Sequence, residues 1–217
     1  MPKQFQISYN PYFLFPFLVW VVAGGALMVK YNSYELFAAV NTRYNDTANV
    51  IMYYTTWIGQ AEVIIPVLAL VMLIRGYGNL WYFVAASVSN LVPLLIEQLL
   101  KTYFNTQRPL KYFYHPSWIH VMPDWAHLYD RSFPSGHSEG AFSFMCFLGL
   151  ILSQRYKKWG FLFFLLGLSV CYSRMYLAAH FFKDVYVGSI IGVVVSTIIF
   201  SILNHYKGRF FKEGAAQ

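Results

Sequence analysis

Six stretches of this chain are nearly free of charge, and that constrains its fold more than any other feature. A membrane helix needs roughly 20 mostly apolar residues. The runs lie at 4–29 (dense at 13–29), 47–74, 76–96, 140–154, 159–173 and 185–206, with Glu62 the single charge inside the second. The fourth and fifth are short, and they reach full length if their polar ends project into a water-filled site. Composition is needed only to close the alternatives. Hydrophobic residues make up 58% and charged residues 12%, against about 25% charged in soluble domains. So few charges do not cover the surface of a water-soluble domain of this size, and an apolar, aromatic chain is not disordered. Two cysteines, Cys146 and Cys171, both inside apolar runs, do not make a disulfide framework. The expectation is a single all-α integral membrane domain over 1–217 with six transmembrane helices.

The formal net charge is +7, and its distribution sets the orientation. An even number of spans puts both termini on one side. That side carries Lys3, Arg75, Arg155, Lys157, Lys158, Lys207, Arg209 and Lys212 against Glu213 alone. The bases and acids elsewhere cancel. The excess therefore marks the cytoplasmic face, adds attraction to anionic lipid, and needs no nucleic-acid partner. The long connection 101–137 falls outside, and its prolines keep it from being a regular helix.

Three polar clusters lie at that outer boundary. The first runs from Lys101 to Arg108 and Pro109. The second is Pro134-Ser135-Gly136-His137. The third begins at Ser173-Arg174 and ends at His180 and Asp184. Lys101, Arg108 and Arg174 sit at the ends of three different segments brought to one face. Clustered cations repel one another unless an anion joins them, and the forked donors of Arg match phosphate oxygens. Each alone also reads as a snorkelling interface anchor. Ser135 and Gly136 directly precede a helix, where free N–H groups bind anions; a plain capping turn reads the same way. His180 and Asp184 are four apart and share a helical face, so Asp184 can orient the imidazole as a nucleophile or base. The bland alternative is a satisfied His–Asp pair.

Taken together, K-x6-R-P, P-S-G-H and S-R-x5-H-x3-D, in this order on a six-helix layout, resemble the type-2 phosphatidic-acid phosphatase superfamily. The resemblance covers helices three to six closely and the whole chain in outline. It implies that His180 takes the phosphoryl group as a phosphohistidine, oriented by Asp184. His137 protonates the leaving oxygen and then activates the water that releases phosphate. Lys101, Arg108, Arg174, Ser135 and the Gly136 amide hold the phosphate oxygens. No metal or other cofactor is implied, because fixed cations take the metal's place. The implied substrate is a lipid phosphate or pyrophosphate, such as undecaprenyl pyrophosphate, phosphatidylglycerol phosphate, phosphatidic acid or lipid A. The implied location is a bacterial plasma membrane, with both termini cytoplasmic and the site outside. Two alternatives stand beside hydrolysis. One is transfer of the phosphoryl group to an acceptor lipid or sugar. The other is transport of a lipid phosphate without chemistry, which leaves His180 with Asp184 unexplained. The sequence does not fix the oligomeric state.

The remaining polar residues read more plainly. His115, His120, Asp124 and His127 match no standard zinc spacing, and are expected to line the outer surface or touch a headgroup. Arg131 reads equally as a contact to a second phosphate or sugar and as a solvated charge. Glu97, four before Lys101, is placed to pair with it. Glu62 has no sequence-local partner, and lies near the interface if helix two starts late. Tyr12, Phe13, Phe15, Phe17 and Trp20 read as interfacial anchors of helix one.

Overall fold

Helix starts are marked by capping side chains. In the computed structural model, which describes residues 9–114, 116–123 and 125–210 (Phe210 by its backbone alone), the Asn10 side chain accepts from the Tyr12 amide and opens α1, Pro11–Lys30. Asn32 and Glu35 form a reciprocal capping box on α2, Ser33–Asn41, satisfying two backbone donors at once. Asn45 caps α3, Asp46–Thr55. Asn79 caps α5, Leu80–Phe104, which ends at Asn105 in the left-handed conformation. Between α3 and α5 lie a 3-10 turn, Thr56–Gly59, and α4, Ala61–Leu73. The chain continues through α6, Pro109–Tyr112, α7, Gly136–Ile151, α8, Trp159–Tyr176, and α9, Phe182–Phe210. No strand occurs among the described residues. Lys3, His115, Asp124, Lys212 and Glu213 lie outside them.

Among the described residues, four segments are long and apolar enough to cross a membrane: α1, α5 with α6, α8 and α9. A fifth is the α3–α4 pair, bent by 59° at its break. The expected second span is thus broken, with the 3-10 turn at its centre. The expected fourth span is α7. Its 16 residues fall short of a full crossing, but 11 of them are buried. α7 packs against α9, α8 and α5, so neighbours rather than lipid cover it. Close approach there depends on small residues. A Cβ on Gly188 would come within 2.5 Å of the Ser135 carbonyl oxygen, and one on Gly192 within 2.5 Å of that of Glu139.

The core corrects the reading of helix one. Phe13 and Phe17 are 1% and 4% exposed and pack on Phe142. The Trp20 indole N–H donates to Ser189 Oγ at 2.9 Å. Tyr12 and Phe15 face outward as expected. Helix one therefore buries one aromatic stripe and exposes the other. Glu62 lies in the first turn of α4, just past the break at the centre of the second span. Both cysteines are free and buried.

The two ends of the bundle differ in character. At one end Lys157 donates to the Tyr9 carbonyl, the Tyr77 hydroxyl to that of Ile151, and Lys207 lies over Trp81. At the other, Asn41 donates to the carbonyls of His120 and Tyr176. His120 stacks on Tyr44 with ring centroids 3.9 Å apart, and shares Asn49 Oδ1 with the Tyr176 hydroxyl. Phe37, Leu110, Ile119 and Phe181 form a second apolar cluster beneath this loop. His120 is thus a structural peg, and burial lowers its pKa. His127 is exposed.

Candidate active site

The long connection and the starts of α7 and α9 are sewn together by short polar contacts. The backbone amide of Ser135 donates to the Asp184 carbonyl at 3.0 Å, and that of Ser132 to Thr106 at 2.9 Å. The Thr106 hydroxyl accepts from the Phe133 amide. The second cluster of the sequence is thereby bound to the other two. Lys101, Arg108, Ser135, Arg174, His180 and Asp184 are all buried, and Gly136 and His137 half-buried.

His180 is 1% exposed. It does not share a helical face with Asp184 as expected, because it lies in the turn before α9. The two meet nonetheless, with Nδ1 3.7 Å from Asp184 Oδ2. That is longer than a hydrogen bond. The reason is local: Asp184 Oδ2 already accepts from the Ser132 hydroxyl at 2.6 Å and the Phe181 amide at 2.9 Å. Among the described residues no hydrogen bond reaches Asp184 Oδ1 or His180 Nδ1. On the other side of the ring, Arg108 Nη1 stands 3.2 Å from Nε2 and donates to the Ala179 carbonyl at 2.9 Å. Arg108 Nε and Nη2 are held by the carbonyls of Asp130 and Arg131. Burial first, then the charges of Arg108, Arg174 and Lys101, hold the His180 imidazole well below its ordinary pKa. It is neutral at pH 7, with Nε2 carrying the lone pair that faces Arg108.

Arg174 is 2% exposed. Its Nη1 donates to the Thr56 hydroxyl at 2.9 Å, and its guanidinium lies 5.5 Å from the Trp125 ring centroid, a cation–π distance. Lys101 Nζ is 2.5 Å from Glu97 Oε1, the expected pair. Gln98 extends it, donating to Glu97 Oε2 and accepting from Arg131. Arg131 is thus tied to this network. Gly136 fits closely here, since a Cβ would come within 3.0 Å of Glu97 Oε1. Ser135 caps α7, its Oγ accepting from the Ser138 hydroxyl, which leaves its own O–H to give. His137 Nε2 lies 3.0 Å from Gln60 Nε2.

The structure therefore brings all eight expected residues to one end of the bundle, and adds three not singled out in the sequence: Thr56, Gln60 and Ser132. Thr56 and Gln60 come from the break in the second span. The run at 47–74 is longer than one crossing needs, with Gly59-Gln60 at its middle, and that was the available signal. Gly59 lets the turn press on α7, since a Cβ there would collide with the His137 carbonyl. Ser132 carried no signal beyond its nearness to Pro134.

Such an arrangement can bind an oxyanion between fixed cations, beside a neutral imidazole backed by a carboxylate. Comparison with known proteins agrees. The chain is 25% identical over 174 residues to the undecaprenyl-diphosphatase BcrC of Bacillus subtilis, covering 77% of this chain and 82% of that protein. It is 27% identical over 178 residues to an undecaprenyl-diphosphatase of Sulfolobus acidocaldarius, covering 80% and 79%. The crystal structure of Aquifex aeolicus LpxE superposes with a TM-score of 0.62 at 25% identity, over 79% of this chain and 96% of that one. A transmembrane PAP2-type phosphatidylglycerolphosphate phosphatase from Bacillus subtilis shares the fold at a TM-score of 0.63 and 21% identity, over 94% and 99%. The family model of the PAP2 superfamily matches residues 79–207, a range that holds all three motifs. The chain belongs to the PAP2 superfamily of membrane lipid phosphate phosphatases.

Proposed function

We propose that this protein removes phosphate from a lipid phosphate or lipid pyrophosphate at the outer face of a bacterial plasma membrane, through a phosphohistidine on His180. The observation that carries this reading is the buried, neutral His180 between Arg108 and Asp184, with Lys101 and Arg174 close enough to act on it electrostatically.

In the reaction, Lys101, Arg108 and Arg174, with the Ser135 hydroxyl and the Gly136 amide, hold the phosphoryl oxygens. Phosphoryl transfer asks mainly for positioning and charge neutralisation, and fixed cations supply both without a metal. His180 Nε2 attacks phosphorus, and Asp184 balances the imidazolium that forms. His137 gives its proton to the leaving oxygen, then takes one from the water that attacks the phosphohistidine. Gln60 is placed to orient His137.

The single domain is read as six helices, with α7 as the shielded sixth and both termini cytoplasmic. The basic loops meet at the end of the bundle opposite the site, which supports an outward-facing site. The lipid enters sideways from the bilayer while its headgroup meets the cations. Candidate substrates include undecaprenyl pyrophosphate, phosphatidylglycerol phosphate, phosphatidic acid and lipid A.

The test is phosphate release by purified protein from a panel of these lipids. Release is expected from at least one, and is lost in His180→Ala. Equal hydrolysis by wild type and variant overturns the reading. Radiolabelled donor, quenched within one turnover, leaves acid-labile label on wild type and none on His180→Ala.

A further inference from the structure

Glu139 stands two residues beyond His137, in the first turn of α7, and is 0% exposed. Among the described residues neither of its carboxyl oxygens has a hydrogen-bond partner. A polar group in that position is costly unless something satisfies it. The nearest donor, the Ser143 hydroxyl, has a single proton and also faces Asn90 Oδ1 and the Gly140 carbonyl, and the Asn90 amide donates to Ala86. Glu97, the other acid that acts on it, is taken by Lys101 and Gln98.

Glu139 also lines a groove of about 470 Å³ between α4, α5 and α7. The groove is apolar over most of its length, with Ile64, Leu68, Leu91 and Leu94 in its walls, and it reaches Gly136 of the phosphate site. Gly136 and Glu139 are three residues apart, about 4.5 Å along a helix. A lipid that presents its phosphate at Gly136 and lays its chain in the groove passes Glu139 within a few bonds of the phosphoester.

We propose that Glu139 is a specificity-determining residue, accepting a hydrogen bond from a hydroxyl or amide N–H that the lipid carries beside its phosphoester. This inference rests on the lipid phosphatase reading. An ionised carboxyl only accepts hydrogen bonds. A hydroxyl satisfies it in either protonation state. Sphingoid and sugar-linked lipid phosphates carry such a donor. A polyprenyl phosphate and a diacylglycerol phosphate do not, and neither satisfies an ionised carboxyl. A site built to bond an O–H or N–H discriminates strongly against the analogue that lacks it.

The test compares kcat/KM for ceramide 1-phosphate and phosphatidic acid of matched chain length in mixed micelles. Wild type is expected to favour ceramide 1-phosphate by about five- to hundredfold, the range for leaving a buried polar group unsatisfied. Glu139→Leu brings the ratio close to one, and Glu139→Gln, which keeps a carbonyl acceptor, retains most of it. A 3-deoxy analogue separates the hydroxyl from the amide as donor. A wild-type ratio of one or less, or a ratio unmoved by Glu139→Leu, overturns the proposal; a purely structural role lowers both rates together and leaves the ratio in place. Binding of the two lipids to His180→Ala protein, with and without Glu139→Leu, reads the same ratio without turnover. Absent phosphate release from every lipid in wild type counts against the phosphatase reading. A flat binding ratio counts against Glu139.

Discussion

The two sides of the site are built differently. His180, Arg108 and Asp184 are locked by backbone carbonyls, the Ser132 hydroxyl and the first turn of α9. Arg174 and His137 are met instead by Thr56 and Gln60, from a broken span. Neither α3 nor α4 contains a buried residue, whereas α7 is largely buried and α8 half buried. One side is held by the core and the other by a turn pressed on α7 and α8, whose flanking helices α3 and α4 pack lightly. Chemistry on the first side therefore depends on fixed geometry, while the helices that flank the second have room to move with a ligand. Segments with few buried contacts open at low free-energy cost.

Substitutions on the two sides separate these roles. The largest effect is expected for His180→Ala, a loss of at least about a thousandfold in kcat with little change in lipid binding, since a nucleophile has no substitute. Arg108→Ala follows, at roughly a hundredfold or more in kcat/KM. If Arg174→Ala matches it while Thr56→Val leaves rates unchanged, the broken span does not position Arg174, and the comparison fails on that side. Ser132→Ala is expected to lower kcat about tenfold through Asp184, read against KM and rescued by Ser132→Thr. Gln60→Leu is expected to change kcat/KM only a few fold, because the lightly packed helices that flank the turn tolerate change.

Acid stability supplies the smallest effect. The folded His180 pKa lies below its unfolded value near 6.5, so the unfolded chain binds a proton that the folded one refuses. His180 contributes nothing to the pH dependence above about 6.5. Below it, stability falls by about 1.4 kcal/mol per pH unit until the folded pKa is reached. His180→Gln removes this slope. Its melting temperature should fall less between pH 7 and 5 than that of wild type, and equal falls would show that the imidazole is not held neutral.

The apolar runs and the three motifs were legible because each is a local pattern: hydropathy along a helix, or fixed spacing of polar residues. His180 with Asp184 was found by spacing, although the helical face expected of them is not there. The break at Gly59 was hidden because apolar content continues straight through it. Phe13 and Phe17 were misread because an aromatic at a membrane boundary looks the same whether it faces lipid or Phe142. Glu139 lay just outside a run, where nothing local distinguishes a loop acid from one folded inward. Ser132 depends on a contact 52 residues away, and no single-sequence pattern carries that.

The Arg108 hydrogen bond to His180 links recognition to reactivity. The guanidinium that faces Nε2 is held in place by three backbone carbonyls, so an oxyanion that lands on it meets the imidazole nitrogen without either side chain having to be repositioned.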